Sequence, residues 1–146
     1  MIALAQGVLK DSFEHLRGCG AGRRECVVVW VGPVHQPGLV DEVIHPRHTA
    51  SAVAYDIDPG WVGELWLALA GRGKTVRAQV HTHPGSAYHS PRDDTHGLIH
   101  TEGFVSIVIP RFALGPVGLA GAFATIRTAT GGWSEVDVPD AISVRA

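Results

Sequence analysis

The spacing of apolar residues divides this chain into helices and strands. Residues 2 to 16 predict an amphipathic helix, because their apolar side chains recur every three or four positions. The glycine-rich stretch 18–22 is expected to end this helix. The run from Glu25 to Gly32 is largely apolar and rich in β-branched residues, which predicts a buried strand.

A second long helix and further strands follow. Asp58 is placed to cap a helix that continues to Gly71 and turns Leu65 and Leu69 inward. A short helix is expected after Ser90, over 93–100. The remaining predicted strands are 39–45, a short strand or turn within 46–54, 75–81, 104–110, 119–127 and an edge strand at 133–138. This order predicts an α/β fold, a mixed β-sheet flanked by helices.

Composition narrows the class of protein. The chain has 146 residues, 45% of them hydrophobic and 18% charged, which fits one globular domain over residues 1–146. The net charge of −2 argues against a nucleic-acid partner. No apolar run approaches the length of a membrane span, and the charged N-terminal segment does not suit a signal peptide. A cytoplasmic protein is therefore expected.

The most specific chemistry lies between His81 and Asp93. His81 and His83 are one residue apart on a predicted strand, so both imidazoles point to the same side. Asp93 follows a Pro/Gly turn and supplies a third ligand. Two histidines, one carboxylate and a water form the open coordination set of a catalytic zinc. Ser90, three residues before Asp93, can cap a helix or donate a hydrogen bond beside the metal.

This run resembles the JAMM signature, also called MPN-plus or JAB. In that family a glutamate lies well upstream of His-Ser/Thr-His-Pro, and a short loop leads to Ser-x-x-Asp. Here the corresponding residues are Glu25, His81-Thr82-His83-Pro84 and Ser90-x-x-Asp93. The segments 46–50 and 106–110 are also similar to prokaryotic JAB domains. The resemblance covers about residues 1 to 125.

The resemblance implies a fold, an activity and a site. The fold would be the MPN fold, which is cytidine-deaminase-like. The activity would be that of a zinc isopeptidase of the prokaryotic single-domain type, with one catalytic Zn²⁺ held by His81, His83 and Asp93. Glu25 would be the general base for a zinc-activated water, and Ser90 would hydrogen-bond the substrate carbonyl. Glu42 and Glu64 are the competing candidates for the base.

The loop between His83 and Ser90 is one residue shorter than the family pattern. Counting from His83 reaches Asp94 and puts Pro91 at the serine position. Counting from Ser90 reaches Asp93. A proline cannot replace a hydroxyl and a loop tolerates a deletion, so Asp93 is the preferred ligand and Asp94 the alternative.

The resemblance also implies the partner. A ubiquitin-like modifier or its conjugates would be the substrate, encoded near proteins similar to activating or conjugating enzymes, and the residue bias suggests a bacterial source. Two alternatives stay open. One is a hydrolase that releases an amino acid or cysteine from a ubiquitin-like sulfur carrier. The other is a non-catalytic MPN-type scaffold, although scaffolds typically lose a metal ligand.

Other motifs are interpreted as structural. Gly71 to Thr75 imitates a phosphate-binding loop but follows a helix, so we expect a helix end and turn. His96 and His100 lack the glutamate of a helical zinc motif. Cys19 and Cys26 do not predict a disulfide framework or a zinc pattern, and Cys26 is expected to be a small core residue. The five other histidines show no metal-type spacing: His15, His35, His45, His48 and His89.

Overall fold

The computed structural model describes residues 1–95 and 97–146, with only the backbone of Thr95 included. The strands are β1 (Ile2–Ala5), β2 (Val27–Pro33), β3 (Leu39–Val40), β4 (Glu42–Ile44), β5 (His48–Ala50), β6 (Tyr55–Ile57), β7 (Lys74–Thr82), β8 (Val105–Ile109), β9 (Phe123–Arg127), β10 (Trp133–Val136) and β11 (Ile142–Arg145). The α-helices are α1 (Gln6–Gly20), α2 (Pro59–Gly71), α3 (Pro91–Thr95) and α4 (Val138–Ala141), and a 3₁₀ turn covers Arg111–Ala113.

A six-stranded mixed sheet organises the fold. Its strand order is β10-β9-β8-β7-β2-β4, and every neighbouring pair is antiparallel except β7 with β8. All seven residues of β2 are buried, as their continuous apolar run predicts. The parallel β7–β8 pair needs a crossover connection, and that connection carries the candidate site loop.

Each long helix covers one face of this sheet. Leu9, Phe13 and Leu16 of α1 share a core with Val28 and Trp30 of β2. On the other face, the leucines 65 and 69 of α2 pack with Val29, Val31 and Val76. The predicted α/β class, a mixed sheet flanked by helices, is confirmed.

The first residues form a strand, so the prediction of a helix from residue 2 was wrong there. Ile2 and Leu4 are buried while Ala3 and Ala5 are less so, which is the period of a strand. β1 pairs in parallel with β11 and with β3. The sequence could not show this, because the partner strand comes from the far end of the chain. The helix α1 then begins at residue 6 and continues through the glycines to residue 20.

The short helix after Ser90 ends earlier than predicted. α3 stops at Thr95, and residues 97–100 are not helical. A Cβ atom on Gly97 would lie 2.6 Å from the Arg127 guanidinium and 2.9 Å from the Trp133 ring. The chain therefore packs closely against β9 and β10 here. His96 lies outside the described residues, and His100 Nδ1 is 3.2 Å from Arg127.

The second long helix has the predicted ends. The Asp58 carboxylate accepts a hydrogen bond from Gly60 N–H at 3.1 Å and caps α2. After Gly71 the chain turns through Gly73, whose φ is +65°, directly into β7. The resemblance to a phosphate-binding loop is thus a helix end and a turn. Among the described residues, the helices are too short or too polar to span a bilayer.

Gly32 is required where β3 packs closely against β2. A Cβ atom there would lie 1.7 Å from the backbone oxygen of Leu39, a contact that only backbone movement relieves. We expect Gly32→Ala to lower the free energy of unfolding by at least about 2 kcal/mol. Gly63→Ala, in the exposed middle of α2 with open space around it, should raise it by ~0.5–1 kcal/mol. Urea denaturation measures both, and equal effects would contradict the close packing of β3 on Gly32.

Candidate metal centre

Strand β7 and the residue directly after it bring two histidines to one point. Its alternation places His81 and His83 on one face and Thr82 on the other, where the Thr82 hydroxyl accepts a hydrogen bond from Cys26 N–H at 3.0 Å. The two histidines are 0% and 3% exposed. Their Nε2 atoms lie 3.3 Å apart, so both imidazoles present the same nitrogen to one small volume.

Asp93 closes the third side of this volume. Its Oδ1 is 3.2 Å from His81 Nε2, and its Oδ2 is 3.1 Å from His83 Nε2. Ser90 holds the carboxylate in place: Ser90 N–H donates to Oδ2 at 2.9 Å, and Asp93 N–H donates to Ser90 Oγ at 3.1 Å. The Ser90 hydroxyl therefore caps α3, one of the two roles expected for it.

The structure places Asp93, and not Asp94, against the imidazoles. The Asp94 side chain is 55% exposed and pairs with His89 Nδ1 at 2.6 Å. Its backbone oxygen accepts a hydrogen bond from the Trp133 indole at 3.1 Å. The one-residue shortening of the sequence pattern therefore lies in the loop before Ser90.

The donor atoms fit a small tetrahedral metal ion. Metal–ligand bonds of the usual length to nitrogen and oxygen put neighbouring ligands about 3.3–3.4 Å apart around zinc. The separations among His81 Nε2, His83 Nε2 and the Asp93 oxygens are 3.1 to 3.3 Å. Two imidazoles and a carboxylate are also donors that zinc accepts. The predicted ligand set is therefore assembled in space, and its occupancy is a prediction for metal analysis.

Glu25 approaches the same volume from the neighbouring strand. Val27 pairs with His81, so continuing the antiparallel register puts Glu25 opposite His83 on the same face. The Glu25 carboxylate lies within 4.8 Å of the ligand nitrogens of both histidines. Glu25 N–H donates to the Ser51 carbonyl at 2.8 Å, which fixes the backbone just before β2.

The two buried carboxyls have opposite electrostatic environments. Burial raises the pKa of Glu25 from 4.5 to about 7, with Asp93 adding to this effect and His83 opposing it. Burial also acts to raise the pKa of Asp93, but hydrogen bonds from His81 and His83 outweigh it and hold that pKa well below its usual range. Burial lowers the pKa of His81, which favours the neutral imidazole that metals bind. Asp93 is thus the permanent anion, and Glu25 the group that exchanges protons near neutrality.

Aromatic side chains enclose the histidines. The Tyr55 ring on β6 is 5% exposed and lies 4.9 Å from the His81 ring. The Tyr88 ring contacts His83 edge-on at 4.6 Å. The amide of Gln79 donates to the Tyr55 hydroxyl, and its Oε1 accepts from Leu98 N–H at 2.9 Å. Sequence reasoning missed Tyr55 and Gln79, because neither belongs to a recognisable spacing.

The competing residues lie elsewhere or have other partners. Glu42 forms a two-point ion pair with Arg72 at 2.9 and 2.6 Å, outside the site. Glu64 is exposed beside Arg47. The His89 side chain is 6% exposed and packs on the Trp133 ring at 4.9 Å, so it is not the solvated loop residue that is usual at such positions.

A second cluster was not predicted at all. Cys19 and Cys26 are bonded to each other, with a Cα–Cα distance of 6.0 Å, although the sequence analysis paired neither. His45 and His48 lie beside the two sulfur atoms. The four residues come from α1, the position just before β2, the β4–β5 connection and β5, so no linear spacing could reveal them.

The fold and the site together define a class: an α/β protein with a candidate hydrolytic metal centre at one face of its sheet. No protein-family model matches the chain. It is 34% identical over 149 aligned positions to the probable metalloprotease y4jG of Sinorhizobium fredii, covering 99% of this chain and 91% of that protein.

Two solved structures have a similar fold. The solution structure of DSY2949 from Desulfitobacterium hafniense aligns with a TM-score of 0.68 at 16% identity, covering 99% of this chain and 93% of that one. The crystal structure of AF2198, a JAB1/MPN domain protein from Archaeoglobus fulgidus, aligns with a TM-score of 0.57 at 17% identity, covering 99% and 100%. With this fold and a full-length relative named a metalloprotease, the chain belongs to the JAMM/MPN family.

Removing one ligand should empty the centre. We expect His81→Ala, His83→Ala and Asp93→Ala to lose the bound ion, and Asp94→Ala to keep it, because Asp93, and not Asp94, contacts both imidazoles. Elemental analysis measures the metal content and distinguishes zinc from iron. It is done on oxidised protein, in which Cys19 and Cys26 form the disulfide. Loss of metal from Asp94→Ala alone would show that the ligand assignment is wrong.

The Glu25 environment predicts a pH-dependent stability in metal-free protein. Its folded pKa of about 7 exceeds the ordinary 4.5, so the folded state binds more protons between these values and loses stability as pH rises through them. Glu25→Gln removes the ionisable group and with it this loss of stability. At pH 8 we expect it to raise the free energy of unfolding by roughly 1–3 kcal/mol, with the gain vanishing towards pH 4.5.

Glu42→Gln is the matched control for this measurement. Its hydrogen bond from Arg72 lowers the pKa of Glu42, so the substitution should reduce stability at pH 8. Urea denaturation at both pH values in the presence of a chelator gives the comparison. A Glu25→Gln protein less stable than wild type at pH 8 would contradict the effect of burial on Glu25.

Proposed function

We propose that this protein is a zinc-dependent isopeptidase or peptidase that removes or processes a ubiquitin-like protein. The observation that carries the proposal is the convergence of His81, His83 and Asp93 on one volume with buried Glu25 beside it. The fold shared with a JAB1/MPN domain protein, and a relative named a probable metalloprotease, support the metal-dependent peptidase class.

The ligand residues have a defined role in this proposal. His81, His83 and Asp93 would hold the ion, with Ser90 N–H fixing the carboxylate. Zinc, when bound, supplies Lewis acidity that makes water a stronger nucleophile and polarises the substrate carbonyl. Burial of the histidines keeps competing bulk water away from their nitrogens.

Glu25 would move the proton. A carboxylate oxygen of Glu25 accepts a proton from the attacking water and then transfers it to the departing amine nitrogen. A carboxyl with a pKa near the working pH does both steps well, and burial provides that pKa in the metal-free site. A bound cation would favour the ionised form, which is the form needed for the first step.

Ser90 would assist at the carbonyl oxygen. Its oxygen accepts the Asp93 N–H, and a hydroxyl also carries one donor. That donor is expected to stabilise the negative charge that develops on the substrate oxygen. Ser90 Oγ lies 3.1 Å from the backbone nitrogen of the ligand Asp93, which would place the hydroxyl near the reacting group.

The substrate class rests on the family. A cavity of about 400 Å³ is lined by Ile57, Val62 and Leu98 and by Tyr55, whose ring contacts His81, and it would receive part of an extended substrate tail. Release of an amino acid or cysteine from a ubiquitin-like sulfur carrier would use the same centre and is the second candidate. A non-catalytic scaffold is disfavoured because the donor set is complete.

Replacing Glu25 should separate binding from catalysis. We expect Glu25→Gln to keep the metal and the fold but to lower kcat on the order of a hundred- to ten-thousand-fold, because the amide cannot accept the proton. Glu42→Gln, a surface carboxylate paired with Arg72, should retain near wild-type activity. Turnover is measured on a panel of ubiquitin-like fusions, isopeptide conjugates and cysteine adducts.

The panel also distinguishes the two candidate functions. Cleavage of fusions or conjugates after the ubiquitin-like tail supports the proposal, whereas release from cysteine adducts alone supports the second candidate. Normal turnover by Glu25→Gln together with an inactive Glu42→Gln would refute the assignment of the base.

A further inference from the structure

The second cluster has the composition of a metal site. The Sγ atoms of Cys19 and Cys26 and one nitrogen each of His45 and His48 all lie within 4.8 Å of one another. Each histidine approaches a different sulfur: His48 Nε2 is 3.3 Å from Cys19 Sγ, and His45 Nε2 is 3.3 Å from Cys26 Sγ. Two sulfurs and two imidazoles are the donor set of a closed, four-ligand structural zinc site.

The contact of Nδ1 decides the tautomer of the neutral His48 ring. His48 Nδ1 is 3.0 Å from the carbonyl oxygen of Pro46, and a carbonyl can only accept, so Nδ1 carries the proton. In the neutral ring Nε2 then presents a lone pair to Cys19, whose sulfur in a disulfide has no hydrogen to donate. Two acceptors then face each other, so the Nε2 lone pair is available to a metal ion once Cys19 is reduced to a thiolate. A backbone carbonyl that fixes the far nitrogen is also typical of metal-binding histidines.

We propose that the reduced cysteines, with His45 and His48, bind a second zinc ion, and that the Cys19–Cys26 disulfide is the metal-free form of the same site. The sulfur–nitrogen distances of 3.3 Å are close to the about 3.5 Å expected between sulfur and nitrogen ligands of a tetrahedral zinc. Cys26 is fully buried, whereas Cys19, His45 and His48 are partly or largely exposed, so metal and reductant can both reach the site.

Reduction followed by zinc binding would convert the disulfide form into the metal-bound form. A small dithiol reductant transfers two electrons and two protons to the Sγ–Sγ bond and becomes a disulfide itself, leaving two thiols. Zinc binding then releases the two thiol protons as the thiolates coordinate. In a reducing compartment such as the cytoplasm expected from the sequence, the metal-bound form would prevail.

The two forms connect different parts of the fold. The disulfide joins only α1 to the residue before β2, whereas zinc would also tie the His45–His48 segment to both. That segment leads into the β5–β6 hairpin, whose connecting residue Ser51 accepts the Glu25 N–H. Zinc binding here would therefore stabilise the backbone that positions Glu25.

Cobalt provides a test that is independent of the peptidase proposal. The protein is reduced with a water-soluble phosphine, desalted under nitrogen and titrated with Co²⁺, and sulfur-to-cobalt charge-transfer absorption in the near ultraviolet is recorded. The catalytic centre contains no sulfur, so this band reports only on Cys19 and Cys26. We expect the band in reduced wild-type protein and its loss in the oxidised form, a comparison that needs no variant.

Variants then test the histidines. His45→Ala and His48→Ala should each lower the cobalt affinity at least about tenfold. His15→Ala, which removes a ring stacked on His45 at 5.5 Å but outside the ligand set, should leave it within a few-fold of wild type. Circular dichroism checks that each variant is folded. Absence of the band in reduced wild-type protein, or unchanged affinity in both His45→Ala and His48→Ala, would overturn the proposal.

Discussion

The pairing of β2 with β7 is the constraint on which the candidate site depends. Val27 lies opposite His81, and the antiparallel register carries this alignment on to Glu25 and His83. A slip of one residue would turn both histidines into the core beneath α1 and bring Thr82 to the site. The register is strongly specified because β2 is buried on both faces, with Val28 and Trp30 packed towards α1 and Val29 and Val31 towards α2.

This register gives each carboxylate its chemical character. Asp93 arrives from the crossover loop and receives hydrogen bonds from two imidazoles and from Ser90 N–H, which stabilise its charge. Glu25 lies just before β2, and its burial favours the neutral form of its carboxyl up to about pH 7. Two acids of similar intrinsic strength thus become a fixed anion and a proton carrier through their neighbours alone.

The sequence predicted what local patterns and a linear motif encode. The buried strand β2, the Asp58 cap and the His-x-His spacing are each determined by residues close together in the sequence. The predicted mixed sheet flanked by helices is confirmed. The strand at Ile2 was missed because its partner at Ile142 is distant in sequence. The helix expected up to His100 was too long because Gly97 packs tightly against Trp133, a tertiary contact without a local signal. Asp93 and Asp94 could be separated only by seeing which of them faces the imidazoles.

The same alternation that builds the candidate metal centre separates it from the second cluster. Glu25 and Cys26 are neighbours in an extended segment, so their side chains point to opposite faces of the sheet. Glu25 joins His81 and His83, whereas Cys26 belongs to the core beneath α1 and its N–H is held by Thr82, the residue between the two histidines. Because both clusters share these two strand segments, a metal ion in one should affect the other through backbone position, without any shared ligand.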